Sequence, residues 1–176
     1  MPVPTLLVTG PVGSGKTTVA FEMSNQLGAV GLAHAVVDTD ELDRIFPPPA
    51  HDPHKTLLTR RNLAALWANL RAAGAPRLIV IMVAASLGYE LPHLREAVPR
   101  EEITAVRLRA SEGTLLERLR RREIGSGLEH HSRRAIEQAR LMARQDDRDG
   151  LLVVETTAKT VPEVAREVLC GAGWLP

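Results

Sequence analysis

Residues Gly10 to Thr17 read Gly-Pro-Val-Gly-Ser-Gly-Lys-Thr, a match to the pattern GxxxxGK(S/T). The glycines let the chain turn tightly enough for successive backbone N–H groups to converge on phosphate oxygens. A lysine at Lys16 reaches the outer phosphates, and a hydroxyl at Thr17 suits a magnesium ion. The flanks agree with this reading. Thr5-Leu6-Leu7-Val8-Thr9 is an apolar run before the loop, and Val19, Ala20, Met23 and Leu27 form one face of a helix after it. Strand, loop and helix in that order set a helix N-terminus, with its partial positive charge, against the phosphates. The candidate nucleotide-binding residues are therefore Gly10, Pro11, Val12, Gly13, Ser14, Gly15, Lys16, Thr17 and Thr18.

Outward from the loop, the apolar runs predict strands over 5–9, 34–38, 77–84, 103–109 and 151–155. Most are continuous in Val, Ile and Leu, as in strands covered on both faces. Helical spacing predicts helices over 15–28, 41–46, 55–73, 89–98, 112–123, 132–147 and 161–170. Gly74 with Pro76 beyond it is a stop signal for the third of these. This alternation implies an α/β fold with a parallel sheet, right-handed crossovers and helices on both faces. The 176 residues suit one domain, 1–176, and the Pro47-Pro48-Pro49 run reads as a stiff connector inside it.

Composition narrows the partners. A net charge of +1 argues against a broad nucleic-acid footprint. The N-terminus lacks a signal-peptide pattern and no apolar run reaches membrane-spanning length, so a cytoplasmic chain without a membrane partner is expected. The single cysteine, Cys170, fits a reducing compartment and is expected to be a buried structural thiol. A small-molecule partner and a monomer or homodimer complete the expectation.

At the second strand's end stand Asp38 and Asp40, in Val36-Val37-Asp38-Thr39-Asp40. Ligands of such sheets bind beyond the carboxyl ends of the strands. One acid would take a proton from an acceptor hydroxyl and the other would hold Mg²⁺. Asp38 is the first choice as base, with Asp40 assisting it or the metal; Thr17 and Asp38 are the metal candidates. The competing reading makes Asp38, Glu41 and Asp40 helix caps. The third strand ends in Met82-Val83-Ala84-Ala85-Ser86, with no acid where many phosphate-loop proteins carry one. That absence argues against a mechanochemical or switch-type NTPase.

Residues 117–144 are dense in arginine, with Arg118 and Arg122 on one helical face. Gly125-Ser126-Gly127 then interrupts the pattern. Helix, glycine hinge and arginine-rich helix suit a lid, spanning about 118–134, that neutralises charge during phosphoryl transfer. Local glutamates would instead pair those arginines on a solvated face. His130-His131 and His51-Asp52-Pro53-His54 read as loops, Trp67 as core, and Arg60 and Arg61 as surface.

With these residues placed, the chain resembles the small P-loop kinases, the group containing shikimate kinase, gluconate kinase, adenylylsulfate kinase and chloramphenicol phosphotransferase. The resemblance implies a P-loop NTPase fold, a five-stranded parallel sheet ordered 2-3-1-4-5, and a lid over the nucleotide. It implies that Asp38 and Asp40 contact the acceptor hydroxyl or the metal. It places Arg118, with Arg122, near adenine and phosphate, and Thr156 and Thr157 beside adenine. Val37-Asp38 and Glu155-Thr156-Thr157 look most like the chloramphenicol phosphotransferase pattern. The arginine and glycine residues that contact shikimate have no clear counterpart, and the acceptor motif of nucleoside-monophosphate kinases is missing.

The expected function is transfer of the γ-phosphate of ATP, with Mg²⁺, to a hydroxyl of a small metabolite or antibiotic. Lys16, Asp38, Asp40, Arg118 and Arg122 are its catalytic candidates. The alternatives are a nucleoside or nucleotide kinase and a non-catalytic nucleotide-binding protein.

Overall fold

A computed structural model of the chain describes residues 2–123, 125–144 and 150–176. Strand β1, Val3–Thr9, leads through the glycine loop into helix α1, Lys16–Ala29. Strand β2, Ala35–Asp38, is followed by helix α2, Thr56–Ala72, and strand β3, Leu78–Ile81, by helix α3, Leu87–Ala97. Strand β4 is Glu101–Arg109, and helices α4, Glu112–Arg122, and α5, Leu128–Ala143, follow it. Strand β5, Leu151–Glu155, and helix α6, Val161–Gly171, are the last elements.

All four strand pairings are parallel, and the sheet is ordered β2-β3-β1-β4-β5, as the resemblance implied. The order reverses beside β1, which in sheets of this kind opens a crevice at the carboxyl ends of the strands where ligands are bound. The two sides of the sheet are buried by different helices. Leu6, Val8, Ile79, Ile81, Val106 and Leu108 pack with α1 and α6, while Leu7, Leu78, Val80 and Ala105 pack with α2 and α3. Alternate residues of one strand thus enter opposite cores, which is why the runs read as continuous rather than alternating. Each such Leu or Ile contributes roughly 1.5–3 kcal/mol by leaving water. Trp67 and Leu63 of α2 belong to the second core, as expected.

Several boundaries depart from expectation. No helix forms over 41–46; a single 3₁₀ turn, Thr39–Glu41, stands there instead. Asp38 caps that turn, accepting from Asp40 N at 3.1 Å. Beyond it, the proline at Pro47 disfavours helical geometry at Phe46. Helix α5 begins at Leu128, four residues before the expected start at Ser132, so His130-His131 lies on a helix rather than a loop. Glu129 in its first turn suits the positive end of the helix. The expected extension of that helix over 145–147 lies outside the described residues. Strand β3 stops at Ile81, where Met82 N still donates to Val8 O; Ala84 N then turns to Thr9 Oγ1 at 2.9 Å.

Cys170 is exposed, not buried. Helix α6 buries Val164, Ala165, Val168 and Leu169, and position 170 falls outside that stripe. Its Sγ donates to the carbonyl of Pro176 at 3.2 Å. Among the described residues, no helix is long and apolar enough to cross a membrane.

Candidate active site

The glycine loop owes its shape to backbone conformations that side chains resist. Gly10 has φ 149°, and a Cβ there would lie 2.5 Å from Leu108 O. Gly13 has φ 84°, with Leu115 O 3.2 Å from where a Cβ would stand. Helix α1 then starts without a side-chain cap and without an acid in its first turn. The first amides of the helix are therefore left for an incoming anion.

Lys16 is buried at 8% exposure, and its Nζ donates to Gly10 O at 3.1 Å and Pro11 O at 3.2 Å. Burial pulls its pKa down from 10.5 to about 8, partly opposed by the carboxylates of Asp40 and Asp38. A lysine so placed gains from phosphate oxygens that would replace the lost solvent.

The two acids behave differently. Asp38 Oδ2 accepts from Thr17 Oγ1 at 2.8 Å, and Oδ1 accepts from Asp40 N. A hydroxyl and a carboxylate in contact, both hard oxygen donors beside a phosphate loop, fit Mg²⁺. Asp40 makes no side-chain hydrogen bond among the described residues and opens into the cleft. Its carboxyl is held above the ordinary range, first by the partial desolvation of the cleft wall and then by the charge of Asp38; Lys16 opposes the shift.

Three cavities share walls around these groups. The largest, about 980 Å³, holds Lys16, Thr17, Asp38 and Asp40 and runs up to Arg122 and Arg134. A second, about 410 Å³, lies between α2 and α3 and is lined by Asp40, Arg60, Met82, Glu90, His93 and Arg134 among others. Asp40 and Arg134 belong to both. A third, about 220 Å³, joins Gly13, Gly15 and Thr18 to Arg118, Arg122, Thr156 and Lys159.

Arg118 is already docked against the body of the domain rather than carried by a free lid. Its guanidinium donates to Ser14 O at 3.2 Å, Thr156 Oγ1 at 2.9 Å and Thr156 O at 2.9 Å. Leu115 and Leu119 bury the same helix, so the first part of the expected 118–134 lid is fixed. Arg122 pairs with Glu123 at 2.6 Å, and Glu123 also meets His131 Nδ1 at 2.9 Å. Thr156 is buried beside Arg118, whereas the Thr157 hydroxyl accepts from Ser111 N at 3.0 Å and serves the α4 entry.

The fold brings further residues to the cleft. Asp43 accepts from Lys55 Nζ at 2.5 Å and from Thr59 Oγ1 at 2.7 Å, bracing the wall opposite the loop. Arg60, expected at the surface, lines the 410 Å³ cavity and pairs with Glu96. His54 lines both that cavity and the main cleft. Gln138 reaches the glycine loop from α5. Only the four-residue spacing of Arg134 and Gln138 on one helix hinted that both face inward.

A sequence profile of the AAA domain family matches residues 6–142. The chain belongs to that family. Within it, this AAA domain has the fold of the small P-loop kinases. A gluconokinase from Sinorhizobium meliloti superposes with a TM-score of 0.64 at 22% identity, covering 97% of this chain and 92% of the other. The Deinococcus radiodurans tunicamycin resistance protein gives 0.67 at 19% identity, over 97% and 96%. A shikimate kinase from Acinetobacter baumannii, solved with shikimate, gives 0.54 at 18% identity, over 95% and 91%. No curated protein matched the sequence.

Proposed function

We propose that this protein is an ATP- and Mg²⁺-dependent phosphotransferase that moves the γ-phosphate to a hydroxyl of a small molecule. The observation that carries the reading is the position of Asp40. Its carboxyl stands on the shared wall of the phosphate cleft and of a separate 410 Å³ cavity. A cavity of that size takes a small metabolite, and a binder of nucleotide alone has no use for it. The kinases among the structural neighbours support the same reading by likeness of fold.

In this reading the amides of Gly13–Thr17 and the Lys16 ammonium hold the phosphates. Thr17 and Asp38 hold Mg²⁺, which neutralises phosphate charge when bound. Asp40, rather than Asp38, is then the base: its side chain makes no hydrogen bond among the described residues, and its raised pKa brings it closer to that of a working base. A substrate hydroxyl in the 410 Å³ cavity gives its proton to Asp40 as its oxygen attacks the terminal phosphorus, and the bond from that phosphorus to the bridging oxygen breaks to release ADP. Arg134 and Arg122 face the same cleft and stabilise the charge that spreads over the transferred group. Adenosine occupies the cavity between Arg118 and Lys159.

The test is release of ADP from ATP with and without a panel of hydroxyl-bearing sugars, shikimate-like acids, nucleosides and antibiotics. Stimulation by one class, abolished in Asp40→Asn, supports the proposal. Equal turnover with every acceptor and in both proteins refutes it.

A further inference from the structure

The hydrogen bond from Val12 N to Gln138 Oε1, 3.0 Å long, joins residues 126 positions apart and lies outside the phosphate chemistry described so far. Val12 sits on the outer limb of the glycine loop, ahead of the amides at Gly13–Thr17. Gln138 is buried at 9% exposure on α5. A glutamine with that little water contact is held by the bonds it makes, and removing its carbonyl leaves the Val12 amide without its acceptor.

Helix α5 is itself anchored below this point. The buried Arg107 of β4 donates from Nη1 to Met142 O at 2.6 Å. Ala135 and Met142 are buried on the same helix, which packs against α4. One turn before Gln138, the same helix carries Arg134 into both the phosphate cleft and the 410 Å³ cavity. The glycine loop therefore leans on a packed helix that also carries an arginine to the cleft.

We propose that Gln138 is a positioning residue: by accepting from Val12 N it fixes the loop's outer limb to the helix that bears Arg134, so the loop is preformed for phosphate. This deepens the phosphotransferase reading, but its first consequence concerns nucleotide binding and is read without any acceptor. The loop's glycines are costly to order, so a fixed limb favours binding by removing that entropy beforehand.

The experiment titrates fluorescent ADP against the full chain and its Gln138→Met variant, which keeps length and removes the carbonyl acceptor. Affinity is expected to fall about tenfold, the ratio set by one unmade buried hydrogen bond, while thermal unfolding drops by only a few degrees and stays cooperative. With ATP, the KM should rise more than kcat falls. In the wild-type protein the Val12 amide should exchange slowly with deuterium before any nucleotide is added. Unchanged ADP affinity in a folded Gln138→Met protein overturns the proposal. Should that variant fail to fold, fast Val12 exchange in the wild type overturns it and slow exchange supports it. Failure of the phosphotransferase reading looks different: ADP binds and depends on Gln138, yet no acceptor stimulates turnover.

Discussion

Replacing Lys16 by methionine removes the charge but keeps most of the stem, and the structure gives the size of the effect on stability. Lys16 is buried, with a pKa near 8 against an ordinary 10.5. That gap is worth about 3 kcal/mol of disfavoured charge in the folded protein. Below pH 8 both states hold the proton and the penalty is fully present. Between about pH 8 and 10.5 the unfolded chain still binds a proton that the folded protein has released, so wild-type stability rises with pH. Lys16→Met has no such group. Urea unfolding of the two proteins without nucleotide, from about pH 7 to 10.5, should show the wild type gaining about 3 kcal/mol on the variant. The two lost bonds, to Gly10 O and Pro11 O, offset the curves by a constant and leave that change intact. A gap between the curves that does not vary with pH would refute the reasoning, because it would mean the ammonium is not desolvated. The same titration predicts that ADP affinity falls above pH 8, by at most about tenfold per unit, as the free protein loses the proton that phosphate needs.

Other substitutions separate the roles of the cleft residues. Asp40→Asn should cut transfer at least about a hundredfold while leaving ADP affinity within a few-fold, measured by coupled assay and titration. It should also remove the acidic limb of the kcat/KM profile, which in the wild type falls above the ordinary carboxylate pKa because the base must be ionised and its pKa is raised. Asp38→Asn should instead raise the Mg²⁺ concentration needed for half-maximal turnover, and an unchanged requirement counts against its metal role. Arg118→Ala loses three hydrogen bonds to Ser14 and Thr156 and should weaken nucleotide binding about tenfold by calorimetry. Gly10→Ala would drive a Cβ onto Leu108 O and should destabilise the fold by about 3 kcal/mol in urea, with wild-type stability contradicting the loop geometry.

The fold was legible because its signals are local. The eight residues from Gly10 to Thr17 dictate strand, turn and helix, and the runs of Val, Ile and Leu report burial on both faces. Sheet order came from resemblance, and pairing bears it out. The errors arose where local pattern competes with something non-local. Glu41 to Phe46 has helical spacing, but only the 3₁₀ turn Thr39–Glu41 forms, and the prolines from Pro47 onward prevent its continuing as a helix. Cys170 lies among apolar neighbours in sequence, yet the helix turns it outward. The site was legible only as far as its residue types: an acid pair and a crowd of arginines. Which acid faces Thr17 and which faces the second cavity depends on a 3₁₀ turn that the sequence disguises as a helix. Gln138 and Arg134 depend on the docking of α5, a contact between residues more than a hundred positions apart.

A crystal structure of the protein with a non-hydrolysable ATP analogue and Mg²⁺ is the most direct measurement. The account predicts phosphates wrapped by the amides of Gly13–Thr17, metal at Thr17 beside Asp38, and the terminal phosphate facing Asp40 across the mouth of the 410 Å³ cavity. A triphosphate lying elsewhere, or a terminal phosphate screened from Asp40 by the protein's own side chains, contradicts it.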